Sequence, residues 1–316
     1  MRIVKVPTSR LSQSTIGNWQ SKISNHQSTI TDRPFPMKIY STALEFRAAA
    51  RVARSGGSLG FVPTMGALHE GHLSLLRAAR ARCHVVAASI FVNPTQFAPG
   101  EDFERYPRSF ERDCELLERE GVELLFAPSA DEMYPAGAVT WVEVEGIGER
   151  LCGRSRPGHF RGVSTVVAKL FHIVEPDFAF FGQKDAAQVA ILRRMVRDLK
   201  MAVEIVVCPI VREADGLAMS SRNAYLDPQE RKQALVLHRA LTRVGDLFAQ
   251  GERRTEELIA AGKRVFAEEP SVRLDYLEVV DPETLEAVAD VFGVALVAVA
   301  GFVGSTRLID NILLPG

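Results

Sequence analysis

From residue 37 onward, short apolar runs alternate with helical stripes, and this alternation constrains the fold more than any other feature. The runs are 58–62 (SLGFV), 84–92 (HVVAASIFV), 122–126 (VELLF), 177–181 (DFAFF) and 203–208 (VEIVVC). Runs this short and this continuous read as strands buried on both faces of a parallel sheet. Val163, Val166, Val167, Leu170, Phe171 and Val174 recur at helical spacing ahead of the fourth run, and Val189, Leu192, Val196 and Leu199 do so after it. The pattern predicts an α/β class fold with a doubly wound, Rossmann-like parallel sheet. Near residue 210 the pattern changes. Ala234, Leu237, Leu241, Val244 and Phe248 form one helical stripe, and Leu258, Ala261 and Val265 form another. The runs 272–280 and 294–300 then read as grouped strands. A smaller C-terminal α+β domain is expected, giving domains at 37–210 and 211–316.

Residues 1–36 stand apart. They hold six Ser, four Thr, five Lys or Arg and a single acid, Asp32, with no hydrophobic period. Leaders of this composition include organelle transit peptides. The expectation here is a disordered, solvated N-terminal extension that is dispensable for activity.

The remaining composition excludes several classes. Lys and Arg number 38 against 39 acids, a net charge of −1, so no excess of cations marks an obligate nucleic-acid binder. No apolar run approaches the roughly 18 residues of a membrane span. Cys83, Cys114, Cys152 and Cys208 form no CxxC pair, which disfavours a disulfide framework or a cysteine zinc site and makes a reducing cytoplasm the expected location.

Three polar segments follow expected strands, where ligands bind in open parallel sheets. The first is Pro63–His72 (PTMGALHEGH), with His69 and His72 placed to donate to an anion beside a helix N-terminus. Its H-E-G-H spacing differs from the HExxH of zinc proteases. Two histidines satisfied by backbone would be the plainer reading. The second is Asn93–Phe97 (NPTQF), whose amides can orient a polar substrate but which also reads as a turn. The third is Gly182–Gln188 (GQKDAAQ). Lys184 near a helix N-terminus opposes the dipole, a conflict that a bound phosphate would remove. A fourth segment, Met219–Asn223 (MSSRN), offers two hydroxyls and a guanidinium suited to phosphate oxygens. Neither GxxxxGK[ST] nor GxGxxG is present, which disfavours a P-loop and the usual dinucleotide turn.

PTMGALHEGHLSLL (63–76), FVNPTQF (91–97), RPGHFRGVSTVVAKLF (156–171), FGQKDAAQ (181–188) and MSSRN (219–223), in this order, resemble the pantothenate synthetases, a family of pantoate–β-alanine ligases. HEGH looks like the HxGH signature of the wider nucleotidyltransferase superfamily. MSSRN looks like that superfamily's KMSKS-type signature, with Ser221 where the commoner motif has lysine. The resemblance runs from about Met37 to the C-terminus and leaves residues 1–36 without a counterpart.

The resemblance implies an AMP-forming ligase. ATP and (R)-pantoate give pantoyl adenylate and pyrophosphate, and β-alanine then attacks the adenylate to give pantothenate and AMP. It implies magnesium with ATP, no organic prosthetic group and a homodimer. His69, His72, Lys184, Ser220, Ser221 and Arg222 would be catalytic, stabilising the leaving pyrophosphate. Gln96 and Gln188 would bind pantoate, Asn93 would sit at the β-alanine end, and Met65 would pack where ATP and pantoate meet. Gly182, Asp185 and Val211 would line the adenosine site, with Met219 beside them in the ATP-binding set. Asp113 would help hold magnesium, although a solvent-exposed acid fits it equally. His159 and Arg161 would lie in a Gly-flanked loop able to close over the site, and 211–316 would act as a lid. Two rivals are a nucleotidyltransferase acting on a phosphorylated substrate and a non-catalytic ATP-binding regulator. The first would need more cations in the acceptor pocket than two glutamines and an asparagine provide. The second would release no pyrophosphate.

Overall fold

Strand propensity and two-sided burial coincide in the apolar runs, and the chain pairs them in parallel. The computed structural model describes residues 37–316, so the expectations for 1–36 lie outside the described residues. The parallel strands are β1 (Lys38–Tyr40), β2 (Leu59–Thr64), β3 (Val85–Ile90), β4 (Leu124–Phe126), β5 (Phe178–Gly182) and β6 (Glu204–Cys208). Their order is β1-β4-β3-β2-β5-β6, and all pairs are parallel. The order reverses between β2 and β5, which makes the crevice above their carboxyl ends the natural ligand position.

Amphipathic helices link the strands: α1 (Ala43–Arg54), α2 (Glu70–Arg82), α3 (Phe110–Arg119), α4 (His159–Val174) and α5 (Ala186–Asp198). The stripe from Val163 to Val174 is buried in α4 throughout, and Val189 and Leu192 are buried in α5. Leu199, expected on the α5 stripe, instead caps that helix and is half exposed. The Gly-flanked loop expected around His159 and Arg161 ends sooner than predicted. Gly158, at φ +81°, is the N-cap, and both residues lie in the first turn of α4. Only glycine adopts that left-handed conformation without strain.

The C-terminal part holds α6 (Leu235–Ala249), α7 (Thr255–Ala267) and an antiparallel sheet of β7 (Val272–Val280), β8 (Ala295–Val303) and β9 (Thr306–Leu314). One face of this sheet packs Val279, Val297 and Val299 against Leu237, Leu241 and Val244 of α6 and Leu258 of α7. Its other face adds Tyr276, Val280 and Ala298 to the cluster that contains Phe61, Val163 and Ile191 of the parallel-sheet layer. The small sheet is therefore filled on both sides, and residues 37–316 fall in one compact unit. Among the described residues no helix is long and apolar enough to cross a membrane.

Candidate active site

A cavity of about 550 Å³ opens above β2, β3 and β5 and is closed on its far side by residues of β9. Met65, His69, His72, Asn93, Gln96, Gly182, Lys184, Asp185 and Gln188 line it from the α/β layer. Val211, Met219, Ser220, Ser221 and Arg222 line it from the C-terminal side.

The histidines are built by a helix start. His69 is the N-cap of α2, with extended backbone, and its Nδ1 accepts from Gly71 N at 3.1 Å. His72 Nδ1 accepts from His69 N at 3.3 Å, and the ring centroids lie 4.2 Å apart. Each imidazole thus satisfies one of the orphan N–H groups of the helix start. With both Nδ1 atoms accepting, each neutral ring carries its hydrogen on Nε2. Burial holds the His69 pKa down to about 4, with Lys184 adding to the effect. Burial, then His69 and Lys184, holds that of His72 down to about 3. Near neutral pH the site therefore presents two neutral N–H donors and one lysine. Gly71 is required here: a Cβ on it would fall 2.9 Å from the His69 ring.

Lys184 sits in the tight turn between β5 and α5, and its Nζ lies 3.8 Å from Asp185 Oδ1. Ser220 caps the short turn that carries Arg222, accepting from Arg222 N at 3.2 Å, and Ser221 Oγ donates to Ala67 O at 3.0 Å. That second bond joins MSSRN to the histidine turn. Arg222 is held by Asp102, with Nε and Nη2 donating at 2.8 and 2.9 Å.

Amides dominate the other end of the cavity. Buried Asn93 donates to Gln96 Oε1 at 3.1 Å and to Gly162 O at 3.2 Å, and accepts from Thr95 and Tyr134 Oη. Gln96 Nε2 lies 3.1 Å from Met65 Sδ. His159 Nδ1 donates to Gln96 O at 2.8 Å while its Nε2 accepts from Arg156, and burial, with Arg156 adding, holds its pKa down to about 4. Gly162 lets α4 approach this turn, since a Cβ there would lie 2.3 Å from Thr95 O. Arg156 in turn donates to Glu101 at 2.7 and 2.6 Å.

Two expected residues lie elsewhere. Asp113, on α3, is 1% exposed and outside the cavity lining. Its carboxylate accepts from Ala67 N at 2.8 Å and Leu68 N at 2.9 Å, so it braces the histidine turn in place of holding a metal. Arg161 is exposed and stacks on Trp141 at 5.0 Å. Among the described residues, no cluster of three His, Cys, Asp or Glu could hold a metal ion. Three lining carboxylates, Glu101, Asp102 and Asp310, are engaged by Arg156, Arg222 and Arg212. The residues thus offer no protein cage for magnesium. An ion that arrives on the oxygens of a triphosphate and keeps its waters needs none.

Sequence reasoning assigns no role to Glu101, Asp102, Arg156, Tyr134 or Asn311. A signal for Arg156 is present, as it opens the RPGHFRG segment. Asn311 has none, because the pattern does not predict β9 itself.

A doubly wound sheet with helix-start donors, a lysine and a serine–arginine turn at its switch point defines the class, a nucleotide-using α/β enzyme. The pantoate–β-alanine ligase family model matches residues 38–313. A pantothenate synthetase of Acidobacterium capsulatum is 65% identical over 290 residues, covering 88% of this chain and 97% of that protein. A crystal structure of the pantothenate synthetase of Thermus thermophilus is similar at a TM-score of 0.84 and 51% identity, covering 87% of this chain and 99% of that one. A pantoate–β-alanine ligase of Francisella tularensis, crystallised with a β,γ-ATP compound and β-alanine, is similar at a TM-score of 0.70 and 33% identity, covering 88% and 97%. The chain belongs to the pantoate–β-alanine ligase family and is an enzyme of ATP-dependent condensation.

Proposed function

We propose that the cavity joins (R)-pantoate to β-alanine through pantoyl adenylate, with ATP at its cationic end and pantoate at its amide end. A pantoate carboxylate oxygen attacks the α-phosphorus of ATP, and the bond from that phosphorus to the pyrophosphate oxygen breaks. Negative charge grows on the leaving pyrophosphate, and pre-placed donors lower the barrier without covalent work by the protein. Lys184, the Nε2–H groups of His69 and His72, Ser220 and Arg222 fill this role, and Ser221, whose hydroxyl donates to Ala67 O, holds their two segments together. Gln96 and Gln188 hold pantoate's hydroxyls and carboxylate. Asn93 fixes Gln96 and borders the β-alanine position. The β-alanine amine then attacks the acyl carbon, its bond to AMP oxygen breaks, and the amine loses a proton.

The carrying observation is the polarity of one cavity: a lysine and two imidazole donors at the β2/β5 switch point, and neutral amides after β3. A phosphorylated acceptor would meet amides and an arginine already paired with Glu101 at that second end, which disfavours the rival nucleotidyltransferase. Magnesium travels with ATP and supplies charge neutralisation of the phosphates; Asp113 is assigned no metal contact. Residues 211–316, which carry Met219–Arg222, act as the lid, and the enzyme works as a cytoplasmic homodimer. ATP and pantoate without β-alanine should release pyrophosphate, no more than one equivalent staying bound as adenylate, and β-alanine should restore turnover. Pyrophosphate release that depends strictly on β-alanine from the first turnover would refute the adenylate.

A further inference from the structure

The turn that carries Lys184 is held from the opposite sheet. Asn311, on β9, is 3% exposed. Its Nδ2 donates to Gln183 O at 3.0 Å and to Lys184 O at 2.9 Å, and its Oδ1 accepts from Gln183 Nε2 at 3.1 Å. Two carbonyls can only accept, so the orientation of the amide is forced: both of its hydrogens are committed to the backbone of the Lys184 turn. The neighbouring residue does the same for the other phosphate-facing segment. Asp310, also 3% exposed, accepts from Arg212 at 2.6 and 2.9 Å, and Arg212 donates to Gly216 O at 3.0 Å. Arg212 pairs with Ala218 in an isolated bridge, one residue ahead of Met219.

We infer that Asn311 is a positioning residue for the adenylation step, aiming Lys184 through its backbone, and that the Asp310–Asn311 pair sets the spacing between Lys184 and Ser220–Arg222. This rests on the reading of Lys184 as the pyrophosphate-stabilising cation. A side chain that completes three hydrogen bonds in a buried setting is over-provided for mere satisfaction of one turn. Each of these bonds ends within one residue of the charged group. Lysine has a long, mobile stem, so its ammonium is placed only as well as its backbone. A displacement of about 1 Å at such a group can lower a rate by about 10²-fold.

The test is a double-variant cycle on the first half-reaction, read by rapid-quench formation of pantoyl adenylate. Asn311→Ala alone should slow adenylate formation by roughly 10- to 100-fold. The attack of β-alanine on supplied pantoyl adenylate and the KM for pantoate should change less than about twofold. In a Lys184→Ala background the same substitution should add less than about twofold, because the group it aims is gone. Full multiplication of the two effects would overturn the inference, as would equal slowing of both half-reactions. Asn311→Asp keeps the shape and the acceptor for Gln183 Nε2 while removing the donors, and should reproduce the effect. Failure of both Asn311 variants to give soluble protein would make Asn311 a folding residue and overturn the assignment. If Lys184→Ala by itself leaves adenylation intact, the reading of Lys184 falls, an outcome distinct from loss of the Asn311 effect alone.

Discussion

The two ends of the cavity solve different problems. At the β2/β5 end, Lys184 lies 3.8 Å from its nearest acid, and His69 and His72 are kept neutral by burial. At the β3 end, Asn93, Gln96, His159 and Arg156 are locked in a chain of mutual hydrogen bonds. On the proposed reading the first end keeps a cation available for charge that appears only during reaction. On the same reading the second end holds rigid amides for pantoate, with the nearby Arg156 already paired with Glu101.

The sharpest way to break this contrast is at the cationic end. Lys184→Ala should reduce the rate of adenylate formation by about 10²- to 10³-fold, the usual loss for a transition-state donor. Single-turnover measurement would check it, and slowing confined to the β-alanine step would refute the assignment. At the amide end the expected effect is smaller and of another kind. Gln96→Ala should raise the pantoate KM by roughly one to two decades, corresponding to about 1–3 kcal/mol for unpaired polar groups. ATP binding, followed by calorimetry, should be unchanged, and its loss would show that the two ends are not separate.

Much of this contrast is legible in the order of residues alone. Apolar runs locate β2 through β6 and β7 and β8 because burial on both faces leaves an uninterrupted signal. β1 escapes, being three residues long and mostly exposed, as does β9, whose apolar residues are broken by Arg307, Asp310 and Asn311. The polar segments after strands are legible because topology alone places them at one edge. Their partners are not. Asp113 reads from sequence as either a magnesium-side acid or a surface acid, yet α3 turns it inward to the histidine turn. Asp102 and Arg222 are 120 residues apart and meet only because the MSSRN segment returns to the cavity mouth.

That pair offers a finer cut. Arg222 is committed to Asp102, so an incoming triphosphate must exchange one anion for another. Asp102→Asn should tighten ATP binding by about two- to fivefold, the scale of a partly exposed ion pair. Titration calorimetry would read it. Weaker binding in the variant would mean that Asp102 aims Arg222 and does not compete for it.

The last test lies in the pH dependence of stability. His69 and His72 have pKa values of about 4 and about 3 in the folded enzyme, against 6.5 for a free side chain. Below pH 6.5 the unfolded chain takes up protons on these residues and the folded enzyme does not. The unfolded state then binds more protons, so stability rises with pH across this window and falls as the pH drops from about 6.5 towards 4. The effect is read as a fall in melting temperature as the pH drops from about 6.5 to about 5. The carboxylates with lowered pKa, Glu101 and Asp102 among them, contribute with the same sign but below about pH 4.5. The interval from about pH 5 to about 6.5 therefore reports on the histidines whose pKa values burial lowers: His69 and His72 at the cationic end, together with His159 and His238. His69→Gln with His72→Gln should reduce the slope of melting temperature against pH there, leaving the share of His159 and His238, whereas Gln96→Ala at the amide end should leave the slope unchanged. An unaltered slope in the double histidine variant would mean that the two rings take up protons as readily folded as unfolded. The neutral-donor description of the cationic end would then be wrong.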